Sequence, residues 1–257
     1  MIVFLTMLGM GLVIGFVGAG GAGAVIAVLT LVFEIPTHTA VGTSLAAMIF
    51  TTISGALSHF REGNINFKVG LTVGAAGFVG AFIGSKIATT FLSGSNLRLC
   101  TASMLIASAI LVYVRLTWPD LAIFHPRGGK APDLSGAKFW PLAIMAGIGN
   151  GLLSGTFGFG AAQFIQLTLL MLFALPLFQS VGTTMLIILP IAVSGGLGYL
   201  LSGFLDIVLF IQVLLGLMIG AYIGAKFTRH APRPLLKAAM VLMPGIAGAL
   251  MIILKGF

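Results

Sequence analysis

Long apolar stretches dominate this sequence and limit what it can fold into. A helix needs about 20 apolar residues to cross the hydrocarbon core of a bilayer, and the chain offers eight stretches of that length or more. They run over residues 2–33, 38–60, 67–91, 97–116, 139–173, 178–201, 207–228 and 235–254. Because backbone groups find no water inside a bilayer, these stretches are predicted to be helices or pieces of helices. The predicted fold class is an all-α polytopic membrane protein with about eight transmembrane helices.

Composition supports a chain that lies in lipid. Charged residues make up 7% of the chain, against roughly 25% in a soluble domain. The net charge is +8, but the basic residues lie mostly between apolar stretches, where they indicate contact with lipid headgroups and not with nucleic acid. No Lys or Arg precedes Arg61, so the opening stretch lacks the basic region of a secretory signal and is expected to stay as the first membrane element.

The two halves of the chain are related by a shift of 140 positions. Pro36 falls on Pro176, and the run Val-Gly-Thr at 41–43 falls on the same run at 181–183. The same register pairs Gly11 with Gly151, Gly15 with Gly155, Gly18 with Gly158 and Gly20 with Gly160. We therefore predict two four-helix repeats, residues 1–116 and 139–257, joined by a polar linker at 117–138.

The number of crossings per repeat decides how the repeats are oriented. Four crossings would make them parallel, whereas an odd number, for instance with one re-entrant element, would invert them. The sequence favours four. With eight crossings the basic residues divide almost evenly between the two sides, although their density in short loops favours both termini outside the cytoplasm.

A glycine cluster in the first stretch, GAGGAG at 18–23, matches the sequence pattern G-x-G-x-x-G of a dinucleotide-binding turn. That motif follows a buried strand and needs an acidic residue about 20 positions later, whereas Glu34 lies only eleven positions past Gly23 and the flanks are membrane-length apolar runs. The sequence therefore predicts no NAD site and no other cofactor. Since each Gly lowers helix stability by about 1 kcal/mol relative to Ala, the first and fifth helices are instead predicted to break at their glycines.

Two helix breaks, one per repeat, predict a binding site for a small anion. The N-terminus of a half-helix presents free N–H groups and partial positive charge, and neutral polar side chains nearby can replace part of an oxyanion's hydration. The predicted site residues are Gly15, Gly18, Gly20, Gly21, Gly23, Thr43, Ser44, Thr156, Gly158, Gly160, Gln163, Thr183 and Thr184. Two alternatives stay open: the glycines serve close helix packing, and each hydroxyl bonds its own helix backbone.

The sequence contains no pattern typical of an enzyme or a metal site. It has no phosphate-binding loop, no His-x-x-x-His pair and a single cysteine, Cys100. Its few carboxylates, such as Glu34, Glu62 and Asp206, lie at the edges of apolar stretches, so no buried proton relay is visible. We predict that the protein is not an enzyme.

The order of the motifs resembles the sulfite exporter TauE/SafE family over nearly the whole chain. The resemblance rests on the glycine-rich first helix, Pro36, the run HTAVGTSL at 38–45, and the second copy with Pro176 and VGTT at 181–184. It implies a permease of the bacterial inner membrane that moves small sulfur-containing anions, such as sulfite or organosulfonates, in the outward direction. Because Gln163 stands where the first copy has Gly23, the site is expected to be asymmetric.

Other functions stay open at the level of sequence. The chain could carry another small organic anion or a cation, or it could be a non-transporting scaffold or sensor subunit. The expected partners are the lipid bilayer and a small anionic substrate. The oligomeric state, a homodimer included, is also open.

Overall fold

The structure, a computed structural model, consists of helices joined by short turns, and it describes residues 1–17, 22–118, 121, 136, 138–159, 161–228 and 233–254. The helices are α1 (Ile2–Val17), α2 (Ala22–Leu31), α3 (Thr37–Arg61), α4 (Phe67–Phe91), α5 (Gly94–Thr117), α6 (Phe139–Phe157), α7 (Ala162–Leu172), α8 (Leu177–Leu201), α9 (Ile207–Thr228) and α10 (Arg233–Ile253). By length and composition, five of them (α3, α4, α5, α8 and α9) can cross a membrane. The predicted all-helical, polytopic class is confirmed.

Each glycine cluster lies between two described helices. The gap between α1 and α2 and the gap between α6 and α7 fall on the two clusters. Gly158 ends α6 in the left-handed conformation, at φ +72°, and its N–H donates to the carbonyl oxygen of Ser154 at 2.8 Å. A left-handed residue at this position is a common helix end and favours glycine. Gly18, Gly20, Gly21 and Gly160 lie outside the described residues.

The shift of 140 positions recurs in the backbone. The pairs α2 and α7, α3 and α8, and α4 and α9 each begin 140 residues apart. The turns repeat as well: Glu34 and Ala174 both have positive φ, at 52° and 51°, and so do Gly63 and Gly203, at 71° and 77°. The two halves therefore share one plan of five helices, where the sequence favoured four.

The direction of each helix follows from the residues it touches. We call the membrane side where α3 begins the Glu34 side and the side where α3 ends the Arg61 side. α3 and α8 are antiparallel, because Gly42 packs against Tyr199 and Gly55 against Met185. α8 is parallel to α4, and α4 is parallel to α6. The contacts that show this join Gly70 with Leu186, Gly198 with Phe82, Gly147 with Val73, and Gly155 with Ala81.

The first helix of each half is followed by a shorter helix that runs back. α7 is antiparallel to α6, since Phe173 makes an edge-to-face contact with Phe139 and Asn150 donates to Thr168 at 3.1 Å. α1 is parallel to α9, as the packing of Phe4 on Gly216 shows, and it is therefore parallel to α3 and antiparallel to α2. With 10 and 11 residues, α2 and α7 are about 15 Å long, half the thickness of the hydrocarbon core.

These directions make the two halves an inverted pair. α1 runs from the Glu34 side to the Arg61 side, whereas its counterpart α6 runs the opposite way. The arrangement expected from four crossings, with parallel repeats, is therefore not what the structure shows. The physical reason is that α2 runs opposite to α1 and α7 opposite to α6, so each half contains a fifth, half-length element.

Small residues let the two halves approach closely. A Cβ atom on Gly151 of α6 would collide with the carbonyl oxygen of Gly77 of α4, and one on Gly220 of α9 would collide with the carbonyl oxygen of Leu8 of α1. Such backbone approach is how helices associate in lipid. The first helix of each half is thereby packed against the fourth helix of the other, which joins the halves along two matching seams.

Candidate functional site

A cavity of about 630 Å³ lies between the two halves. Most of its lining residues come from α3 and α5 of the first half and from α7 and α8 of the second, and α1, α2, α9 and α10 contribute the rest of its helical wall. Ala22 and Ala162, the first residues of α2 and α7, both line it. The N-termini of both half-helices therefore lie at the wall of one shared space.

The cavity extends toward the Arg61 side and is closed toward the Glu34 side. Its lining includes Leu116 in the last turn of α5 and Phe178 in the first turn of α8. On the opposite side Tyr199 is fully buried, and its hydroxyl donates to the carbonyl oxygen of Thr156 at 3.0 Å. There Gly158 lies so close to Val41 that a Cβ atom would not fit. The packing of these residues forms a seal on the Glu34 side.

Six polar side chains stand in a wall that is otherwise apolar. They are Ser44, Thr51, Thr52, Arg115, Gln163 and Gln166. Among the described lining residues, Arg115 is the only charged one. Its Nη1 donates to Oε1 of Gln166 at 2.7 Å, a bond that joins α5 of the first half to α7 of the second.

The hydroxyl groups in the wall donate their protons to backbone carbonyls. Ser44 donates to Ala22 at 3.2 Å, which ties α3 to the start of α2. Thr51 and Thr52 both donate to Met48 of their own helix, at 3.0 and 2.7 Å. In this state the three hydroxyls therefore offer lone pairs to the cavity, which suits a hydrogen-bond donor better than an anion.

The structure places the predicted site residues in two groups. Ser44 and Gln163 line the cavity. Thr156 and Thr184 are buried outside its lining, and they donate to the carbonyl oxygens of Gly84 and Ser180. Gly23 is buried against Leu105, and Gly15 lies in α1 before the first break.

The repeated Val-Gly-Thr run packs against a turn of the other half. Gly182 lies under the carbonyl oxygen of Asn64, and Gly42 lies in the same way under that of Phe204. Thr183 accepts a hydrogen bond from the N–H of Asn66 at 3.0 Å. In these contacts the run holds the α3–α4 turn and the α8–α9 turn in place. Val181 of the second copy also lines the cavity, whereas Gly182 and Thr183 lie outside the lining.

Sequence reasoning missed Arg115 as a site residue and treated it as a charge at a helix end. Its surroundings carried a signal, because it stands inside the apolar run AILVYVRL at 109–116 and not in the polar linker. An ionisable residue within a span is a candidate functional residue. Its partner Gln166 could not be identified from sequence, since the two positions are 51 residues apart and belong to different halves.

Comparisons with known proteins identify the family of the chain. The family model of the sulfite exporter TauE/SafE matches residues 3–251. The chain is 50% identical to the "Probable membrane transporter protein YdhB" of Bacillus subtilis, over 98% of this chain and 100% of that protein. It is 26% identical to the "Probable membrane transporter protein MJ0441" of Methanocaldococcus jannaschii, over 97% of each chain.

No solved structure matches the chain. The family match and the YdhB relative show a membrane transporter and not an enzyme, and the apolar helices fit a multi-pass protein of the cell inner membrane. The chain belongs to the sulfite exporter TauE/SafE family.

Proposed function

We propose that this transporter carries a small sulfur-containing anion, sulfite or an organosulfonate, by alternating access between residues 1–116 and 139–257. The observation that carries the proposal is the cavity between the halves, which is closed toward one side and has a single positive charge, that of Arg115, among its described lining residues. A single cation in a largely apolar cavity favours an anion as cargo, because binding neutralises a charge that lacks full hydration. It argues against the alternative of a cation carrier.

The inverted halves support alternating access. In an inverted pair, exchanging the conformations of the two halves turns a cavity open to one side into a cavity open to the other. α3 and α8 are counterparts in the two halves and pack against each other along much of their length. In the proposed cycle they are the surface about which the halves rock.

The charges at the helix ends support a cytoplasmic location for the Arg61 side. Within the described helices and their immediate flanks, the basic residues of that side are Arg61, Lys68, Arg115, Lys138, Lys226, Arg233 and Lys237, against Lys86 and Arg98 on the Glu34 side. Basic residues near helix ends favour the cytoplasm. The cavity in this state then faces the cytoplasm, and both α1 and α10 have their outer ends on the opposite side.

In this proposal the N-termini of α2 and α7 and the Gln163 amide surround the bound anion, while Ser44 holds the start of α2 through its bond to Ala22. Thr43, Thr156, Gly158, Thr183 and Thr184 belong to the packed shell that supports the cavity. A second candidate cargo, another small organic anion, is favoured by the apolar wall, which includes Met48, Leu167 and Met185.

The test is a flux assay with purified protein in liposomes. Proteoliposomes are loaded with sulfite, methanesulfonate or acetate, and we expect them to release the two sulfur anions faster than protein-free liposomes do. Efflux of choline, a cation, is measured in the same way to check whether the transported solute is an anion or a cation. Faster acetate than sulfur-anion release would favour the second candidate. No release of any anion, with protein inserted and folded, would overturn the proposal and return the chain to a scaffold or sensor role.

A further inference from the structure

The cavity needs hydrogen-bond donors if it is to hold an anion, and its hydroxyl groups do not supply them. Ser44, Thr51 and Thr52 give their protons to backbone carbonyls. An oxyanion is acceptor-only and needs N–H or O–H groups directed at it. Of the polar side chains in the wall, Arg115, Gln163 and Gln166 remain as donors.

Arg115 is the strongest of these donors. Its guanidinium carries five N–H groups in a planar fork, which matches the geometry of sulfonate, sulfite and carboxylate oxygens. The bond to Gln166 uses Nη1 and fixes one edge of the fork. Because the guanidinium is half-buried in a mostly apolar wall, a charge-assisted bond to an anion there is stronger than the same bond in water.

Gln166 and Gln163 give the arginine its orientation and a second donor. They are three residues apart on α7, so both side chains lie on one face of that helix, and both line the cavity. The residues 140 positions earlier are Ile26, which is fully buried, and Gly23. The amide groups therefore belong to the second half alone, and the arginine–amide group exists once, on the Arg61 side.

We propose that Arg115, oriented by Gln166, is the contact that selects an oxyanion head group in this cavity. The proposal rests on the proposed transport function and assigns the charge selectivity of that function to one residue pair. The anion accepts from the guanidinium edge that faces the cavity, while Gln166 keeps its bond to Nη1. Gln163 donates from its amide nitrogen to the same head group.

Substitutions of Arg115 and Gln166 show whether the pair binds the anion or only joins α5 to α7. We expect Arg115→Gln to weaken sulfite binding about 10- to 100-fold, the range for the loss of a charged hydrogen bond, and Arg115→Lys to weaken it less. Arg61→Gln is the matched control, because it removes one positive charge from an exposed position on the same side. Binding is measured as the sulfite-induced rise in melting temperature in detergent, and flux is measured in liposomes.

Gln166→Glu tests the role of the pair without removing the bond between the helices. A glutamate at 166 can still accept from Arg115 but neutralises it, so we expect the protein to stay folded and to lose sulfite binding, whereas Gln166→Met loses binding less. If Gln166→Glu binds sulfite as the wild type does, or Arg115→Gln matches Arg61→Gln, the pair is structural and the inference is overturned. If the wild type neither binds nor moves any anion, the transport function itself has failed. Should Arg115→Gln not fold, the two Gln166 variants decide the question.

Discussion

Thr43 and Thr183 occupy equivalent positions 140 residues apart, yet their hydroxyl groups have different surroundings. Thr183 accepts a bond from the N–H of Asn66, whereas the Thr43 hydroxyl is fully buried and has no hydrogen-bond partner among the described residues. The equivalent contact of Thr43 would be with the α8–α9 turn near Asp206. The bond is thus formed on the side where the cavity extends and absent on the sealed side.

We expect valine to destabilise the protein at one of these positions only. Thr183→Val leaves the Asn66 N–H without its partner and should lower the free energy of unfolding by about 1–3 kcal/mol. Thr43→Val removes a hydroxyl that makes no bond and should leave stability unchanged or raise it. Melting temperatures in detergent measure both. Equal losses in the two variants would show that Thr43 makes a bond in solution that this structure lacks.

The place of a residue in the site could be predicted where it depends only on neighbouring residues in the sequence. The sequence predicts Gln163 as a site residue from its place beside the second glycine cluster and Ser44 from its place in the run HTAVGTSL, and both line the cavity. That the hydroxyl of Ser44 donates to Ala22 depends on how α3 packs on α2. Arg115 was missed for the same reason, since its partner and its position in the cavity are set by contacts between the halves.

At the scale of the helix, α6 shows how position along one face decides what a glycine does. A Cβ atom on Gly151 would collide with the backbone of Gly77, whereas one on Gly149 meets nothing within 4 Å. We expect Gly151→Ala to force α6 away from α4 and to reduce both melting temperature and flux. Gly149→Ala is the control in the same helix, and better helix propensity should stabilise it by up to about 1 kcal/mol.

The comparison is made in a single membrane preparation, with the amount of inserted protein and its melting temperature measured for both variants. A Gly151→Ala protein as stable and active as Gly149→Ala would mean that the seam between α4 and α6 is looser than the structure shows.

The helix breaks could be predicted from sequence, but the reversal of the chain at each break could not. The first and fifth apolar stretches exceed the length of one crossing, since 35 residues of helix, as at 139–173, extend about 52 Å against a core of about 30 Å. That excess indicates an additional element. Whether the element continues the helix or runs back depends on packing, here the contact of Phe173 with Phe139.

At the scale of the whole molecule, the reversals decide how charge is distributed across the membrane. With eight crossings the basic residues divide almost evenly, whereas the observed directions place seven of those in or beside the described helices on the Arg61 side and two on the Glu34 side. The basic residues that indicate the cytoplasmic side are all visible in the sequence. The side they indicate could not be recovered until the crossings were counted correctly, because each half-length helix exchanges the sides of every loop that follows it.

Labelling of single cysteines tests this inverted topology. In a Cys100→Ala background, Glu62→Cys and Asp206→Cys each place a thiol on an exposed residue next to equivalent turns of the two halves. Inverted halves put the turns on opposite sides, so a membrane-impermeant maleimide applied to intact cells should label Cys at 206 and spare Cys at 62 until the membrane is permeabilised. Asp206 caps α9 by accepting from the N–H of Leu209, so its variant should lose about 1 kcal/mol of stability while residue 206 stays on the same side of the membrane.

Labelling of both thiols in intact cells, or of neither, would require parallel repeats and overturn the inverted arrangement. Labelling of the thiol at 62 alone would keep the inversion and reverse the assignment of the cytoplasmic side.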